Sequence, residues 1–137
     1  MKLLTKSTRE QLLRNGRVRE ALEEQGKAEA DFLPVVKLLT PDAACTWLLT
    51  ELDPEDPDIA FGLCDLGMGF PELGGVRISE LESVRGALRL PVERDRYFTA
   101  RHTLSVYARA AWNVAAITEC PQALDQAARA AGEAADA

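Results

Sequence analysis

The sequence predicts an α+β protein, a four-stranded, mainly antiparallel meander with N-terminal and C-terminal helices packed on it. Two observations carry that prediction. Four short apolar runs within residues 35–78 are joined by brief links, whereas a parallel connection needs a crossover of about a dozen residues or more. Helical spacing of apolar residues brackets these runs on both sides. The 137 residues suit one domain that buries its own core. Residues 1–119 are expected to form it, with 120–137 as an alanine-rich helix and a disordered tail.

Helical signals open the chain. Ser7 and Glu10 have capping-box spacing, and Leu12 and Leu13 supply an apolar face. Asn15-Gly16 ends or interrupts that helix. In a second segment, 18–25, Val18, Ala21 and Leu22 oppose Arg19, Glu20, Glu23 and Glu24. Gly26 closes it, and KAEAD reads as a loop.

From Pro34 the periodicity shortens. VVKLLT, 35–40, is a strand ending at the Pro41-Asp42 turn, and CTWLLTELD, 45–53, is a central strand because both of its faces are apolar. The acidic link PEDPD leads into a hairpin of strands 59–66 and 73–78 around a turn built on Gly67, Gly69 and Pro71. Ser79 and Glu82 are placed to cap a short helix that Gly86 stops. ALRLPVERDRYF, 87–98, is extended or irregular, pinned by Leu88, Leu90, Val92 and Phe98. The apolar face of helix 103–119 is wide enough for two-sided burial, against the sheet and against either the N-terminal helices or another copy of the chain, as a homodimer. Pro121 opens a last helix through 131.

Composition narrows the function classes. Charged residues interrupt every apolar run before the roughly 18 residues of a membrane helix, and MKLLTKSTREQLL lacks a signal-peptide core. A cytoplasmic protein without a membrane partner is expected. Cys45, Cys64 and Cys120 lack the close spacing of zinc or redox motifs and read as buried reduced thiols. The net charge of -6 argues against a general nucleic-acid binder, because phosphate contacts need concentrated Lys and Arg. The arginines at 85, 89, 94, 96, 101 and 109 lie among Glu80, Glu82, Glu93 and Asp95, a mixed solvated surface, with a local anion or nucleic-acid groove as the alternative.

Candidate chemistry is sparse. Glu51, Asp53, Glu55, Asp56 and Asp58 offer many oxygens, but two prolines and the lack of an EF-hand glycine favour a solvated acidic turn over a cation loop. His102 is the single histidine, so a nucleophilic mechanism would pair it with Cys64; mid-strand spacing reads Cys64 as a small core residue instead. The glycines of GMGFPELGG precede a strand where a dinucleotide loop precedes a helix, so they read as a turn. Neither a metal nor a cofactor is expected. The binding surface assigned here comprises Glu51, Asp53, Glu55, Asp56, Asp58, Glu72 and Arg94, with Cys64 and His102 as the catalytic alternative.

The strings KLLTK, TWLLTELDP, FGLCDLG, PELG, SELESVRG and LPVERD occur in an order that resembles a domain-of-unknown-function family of small bacterial proteins, found on conjugative plasmids, integrative elements and phages. The likeness covers residues 2–110. It departs at Gly75 and Arg89, where the family look has an aromatic residue and a glycine. The resemblance implies an accessory protein of a mobile element and no site residues. Together these readings predict a non-enzymatic binding protein that docks onto an unidentified host or element-encoded protein, in the specific form of a defence inhibitor. The alternatives are a small hydrolase or transferase using carboxylates or the Cys/His pair, and a nucleic-acid module using the central arginines.

Overall fold

A computed structural model describes residues 2–136. Its elements run α1 (Lys6–Glu24), β1 (Val36–Leu39), β2 (Thr46–Leu52), β3 (Ile59–Asp65), β4 (Glu72–Arg77), α2 (Ile78–Ser83), β5 (Glu93–Arg94), α3 (Leu104–Val114) and α4 (Pro121–Asp136). The α+β class and the antiparallel meander are as predicted. The sheet has five strands where four were expected, in the order β4-β3-β2-β1-β5. The extra one is the two-residue β5, whose Glu93 and Arg94 pair with Leu39 and Leu38 of β1. A strand this short shows no alternation in sequence, and the open edge of β1 is what recruits it. Of the residues expected to pin this segment, Val92 is buried and Phe98 packs on the core, but Leu88 and Leu90 are exposed.

Alternation along β2 builds two cores. Trp47 and Leu49 point to one face, where Leu12 of α1 and Ile78 and Leu81 of α2 cover them. Leu48 points to the other and, with Leu63 of β3, meets Leu104, Tyr107 and Ala111 of α3 and Leu124 and Ala127 of α4. The molecule therefore has three layers, helices on both faces of the sheet. Leu12, Leu38, Leu48, Leu49, Leu52 and Leu63 are fully buried, each contributing about 1.5–3 kcal/mol relative to exposure. The β2–β3 register shifts between Leu49 and Glu51, and this bulge returns Leu52 to the same cluster as Trp47 and Leu49. Within the chain, α3 finds its second neighbour in α4; α1 lies across the sheet.

Several local expectations change for tertiary reasons. Asn15-Gly16 does not break α1, which is one helix capped by Thr5 through the amide of Thr8 at 3.1 Å. Both residues are buried: Asn15 donates to the Thr50 carbonyl at 2.9 Å, and a Cβ on Gly16 would lie 1.9 Å from the Leu52 oxygen. The glycine permits close packing of helix on strand. Ser79 does not cap α2; Asp58 does, accepting from the Ser79 amide at 2.9 Å and its hydroxyl at 2.6 Å. Asp31 likewise accepts from the Ser105 amide in the first turn of α3, 74 residues away. Gly86 lies beyond the end of α2 and makes room for the Asp42 carboxylate, which accepts from the amides of Leu88 and Leu90 at 2.7 and 3.2 Å. Gly67 and Gly69 do take positive φ, 77° and 86°, as the predicted turn requires. Arg89, where the family look has glycine, sits at φ 63° in the left-handed region that favours glycine. Helix α3 is shorter than expected, ending with Ala115 at φ 64°, and α4 extends past residue 131 to Asp136. Among the described residues, no helix is long and apolar enough to cross a membrane.

Candidate functional site

The β2–β3 loop, with its acidic sequence, emerges from the bulged end of β2, and the fold divides its carboxylates between two roles. Glu51 is buried and pairs with the Arg19 guanidinium of α1. Burial pushes its carboxyl above the usual range, and the hydrogen bond from Arg19 opposes that rise. Asp56 holds Arg77 at 3.2 Å and Asp58 lies 3.6 Å from the same guanidinium. The hydrogen bond from the Ser79 hydroxyl, with that of the Ser79 amide, holds the Asp58 carboxyl below its ordinary range. Asp53 accepts from the Glu55 amide at 2.9 Å, and Asp56 from the Asp58 amide at 3.4 Å. These short-range bonds stiffen the loop against the start of α2.

The remaining acids of the loop, Asp53 and Glu55, lie beside Glu20 of α1. Carboxylate oxygens of Glu20, Asp53 and Glu55 lie within 4.8 Å of one another, and none of the three forms an ion pair among the described residues. Like charges this close raise the local negative potential, which a cationic group would relieve. Glu20 is not among the candidates read from the sequence, because on α1 it reads as one more solvated helical glutamate. Its position beside the loop follows from the Gly16 contact that seats α1 on β2.

The catalytic alternative is not assembled. Cys64 packs against the first core cluster, and His102 turns to Asp125 of α4, 3.6 Å away, on the side of the second cluster. Burial, with Glu72 adding repulsion, pushes the Cys64 thiol up and disfavours the thiolate a nucleophile needs. Of the three cysteines expected to be buried, Cys45 and Cys64 are partly buried and Cys120, just before α4, is exposed. Glu72 is exposed on the edge strand β4, opposite Cys64 in the ladder with β3. It stands apart from Arg94, which is on β5 at the far edge of the sheet.

Arg94 belongs to a different feature. The N-terminal segment, residues 2–5, runs past β5 and leaves a groove of about 830 Å³. Leu3, Leu4 and Val92 supply its buried apolar floor, and Lys2, Arg85, Arg94 and Arg96 its cations. Three of the six central arginines are thus gathered at one place, which their spacing among glutamates did not reveal.

A model of one protein family, described as a protein of unknown function (DUF2958), matches residues 3–118. Neither the curated proteins nor the solved structures contain a match.

Proposed function

We propose, for a chain that belongs to the DUF2958 family, a non-enzymatic accessory role on a mobile genetic element, exercised in the cytoplasm by docking onto a host or element-encoded protein. Inhibition of a host defence system is the specific form of this reading. The observation that carries it is the cluster of Glu20 on α1 with Asp53 and Glu55 of the adjoining loop, three carboxylates without a cation partner among the described residues, beside Asp56 and Asp58, which tie that loop to Arg77 and Ser79. Rigid presentation lowers the ordering cost of association, and unneutralised charge selects a partner with a basic surface. The separation of Cys64 from His102 supports binding over catalysis.

Glu20→Lys with Glu55→Lys tests this face without touching Glu51 or Asp58, which hold the fold. The native chain should capture one stoichiometric partner from nuclease-treated host lysate, and the complex should weaken with salt. The double variant should keep its melting temperature and lose the complex. Retention of the same partner by the folded double variant rejects the face.

A further inference from the structure

We propose that the groove between the N-terminal segment and β5 binds a nucleoside monophosphate, with the phosphate on Arg94 and Arg96 and the base against Tyr97. This site is independent of the acidic face described above.

The charge balance comes first. Lys2, Arg85, Arg94 and Arg96 line the groove, and none forms an ion pair with a carboxylate among the described residues. Arg94 donates to the Leu3 carbonyl at 2.9 Å, and Arg85 to those of Glu82 and Val84 at 3.0 and 2.8 Å. Hydrogen bonds to neutral carbonyls orient these guanidinium groups and leave their charge uncompensated. Of the carboxylates lining the groove, Asp95 turns to Lys37, 3.6 Å away, and accepts from the Tyr97 amide, so Glu82 and Glu93 remain. Four cations against two uncommitted carboxylates match the charge of roughly -1.5 to -2 on one phosphate monoester. A guanidinium fork suits phosphate oxygens in geometry as well as in charge. Thr5, the cap of α1, also lines the groove and places the positive end of a 19-residue helix beside it.

The remaining walls select the body of the ligand. The floor is apolar and buried, while Tyr97 is 95% exposed at the rim. An aromatic ring presented in this way beside an anion site offers a stacking surface for a base. A volume of about 830 Å³ exceeds what a bare phosphate needs and falls within the range of sites for small organic ligands. The net charge of -6 disfavours a long polyanion while permitting a single phosphate at a local basic groove.

Isothermal titration calorimetry with AMP, CMP, GMP and UMP tests the site, with adenosine, inorganic phosphate and a 5′-phosphorylated trinucleotide as comparison probes. At least one monophosphate should bind the native chain, and adenosine should not. Arg96→Gln, at a side chain without a hydrogen-bond partner among the described residues, should weaken binding at least tenfold with an unchanged melting temperature. Tyr97→Ala should weaken the nucleotide and spare inorganic phosphate. Tighter binding of the trinucleotide than of any mononucleotide would assign a strand end as the source, and weaker binding a free nucleotide. Absence of heat with every phosphate ligand, or native affinity in either Arg96→Gln or Arg94→Gln, would overturn the proposal. The Glu20→Lys, Glu55→Lys variant should bind nucleotide normally, which separates failure of the groove from failure of the docking face.

Discussion

Replacing Gly16 by alanine sets two physical effects against each other. In a helix interior the change ordinarily stabilises by about 1 kcal/mol, because glycine loses more backbone entropy on folding. Here the new Cβ would lie 1.9 Å from the Leu52 carbonyl oxygen and 3.2 Å from the Pro54 ring. The carbonyl belongs to the central strand and has no flexible end to swing aside. Relief requires α1 to lift from β2 by about 1 Å or more, and overpacking of this kind costs about 1–3 kcal/mol. Lifting the helix also stretches the Asn15 to Thr50 hydrogen bond and the Arg19–Glu51 pair, adding about 1–3 kcal/mol. The net expectation is a loss of about 2–4 kcal/mol, a fall in melting temperature of roughly 10 °C. Gly132→Ala in α4 is the matched control, because nothing lies within 4 Å of its Cβ; it should be neutral or slightly stabilising. Thermal melts of both variants by circular dichroism decide the matter. A Gly16→Ala protein as stable as the native chain would refute the close-approach argument.

Three further outcomes follow from the ionisable groups and thiols. Arg19→Gln should cost about 2 kcal/mol near neutral pH, because Glu51 is left buried without its cation. Since the folded Glu51 carboxyl already lies above its ordinary range, the unfavourable contribution of its ionised form grows as pH rises from about 4 through the folded value; the deficit of Arg19→Gln should therefore shrink on acidification, and a pH-independent deficit would contradict it. Asp58 shows the opposite sign: its carboxyl is held low by Ser79, so its stabilisation is present above about pH 4 and fades as pH falls through the folded value. Melts of Asp58→Asn should differ from native at pH 7 and converge in acid. Iodoacetamide labelling followed by peptide mass spectrometry should modify exposed Cys120 before Cys64, whose thiol is partly buried and pushed up; equal rates would count against the core reading of Cys64.

Much of the fold is legible in the sequence because it depends on near neighbours. Apolar residues on both faces of TWLLTEL mark the central strand, and glycine at 67 and 69 marks the hairpin turn through its positive φ. The site was less legible. Among the assigned binding residues, Glu51, Asp56 and Asp58 are engaged by Arg19, Arg77 and Ser79, while Glu20, far away in sequence, joins Asp53 and Glu55. Arg94 belongs with Lys2 and Arg96 and is remote from the acidic loop. An aspartate in a sequence looks the same whether it faces water or a distant backbone amide. Asp31, Asp42, Asp58 and Asp65 each accept from amides 21 to 74 residues away.

By itself the sequence determined the α+β class, the order of the helices and the first four strands, and the absence of an apolar stretch able to form a membrane helix. Those features rest on local torsional preference and on the period at which apolar side chains recur. Tertiary structure alone decided the fifth strand, the continuity of α1 through Gly16, the remote aspartate caps and the grouping of Arg85, Arg94 and Arg96 around one groove. Each depends on which groups are close after the chain has packed, and charge and hydrogen bonding act over a few ångströms of space, whatever the separation along the chain.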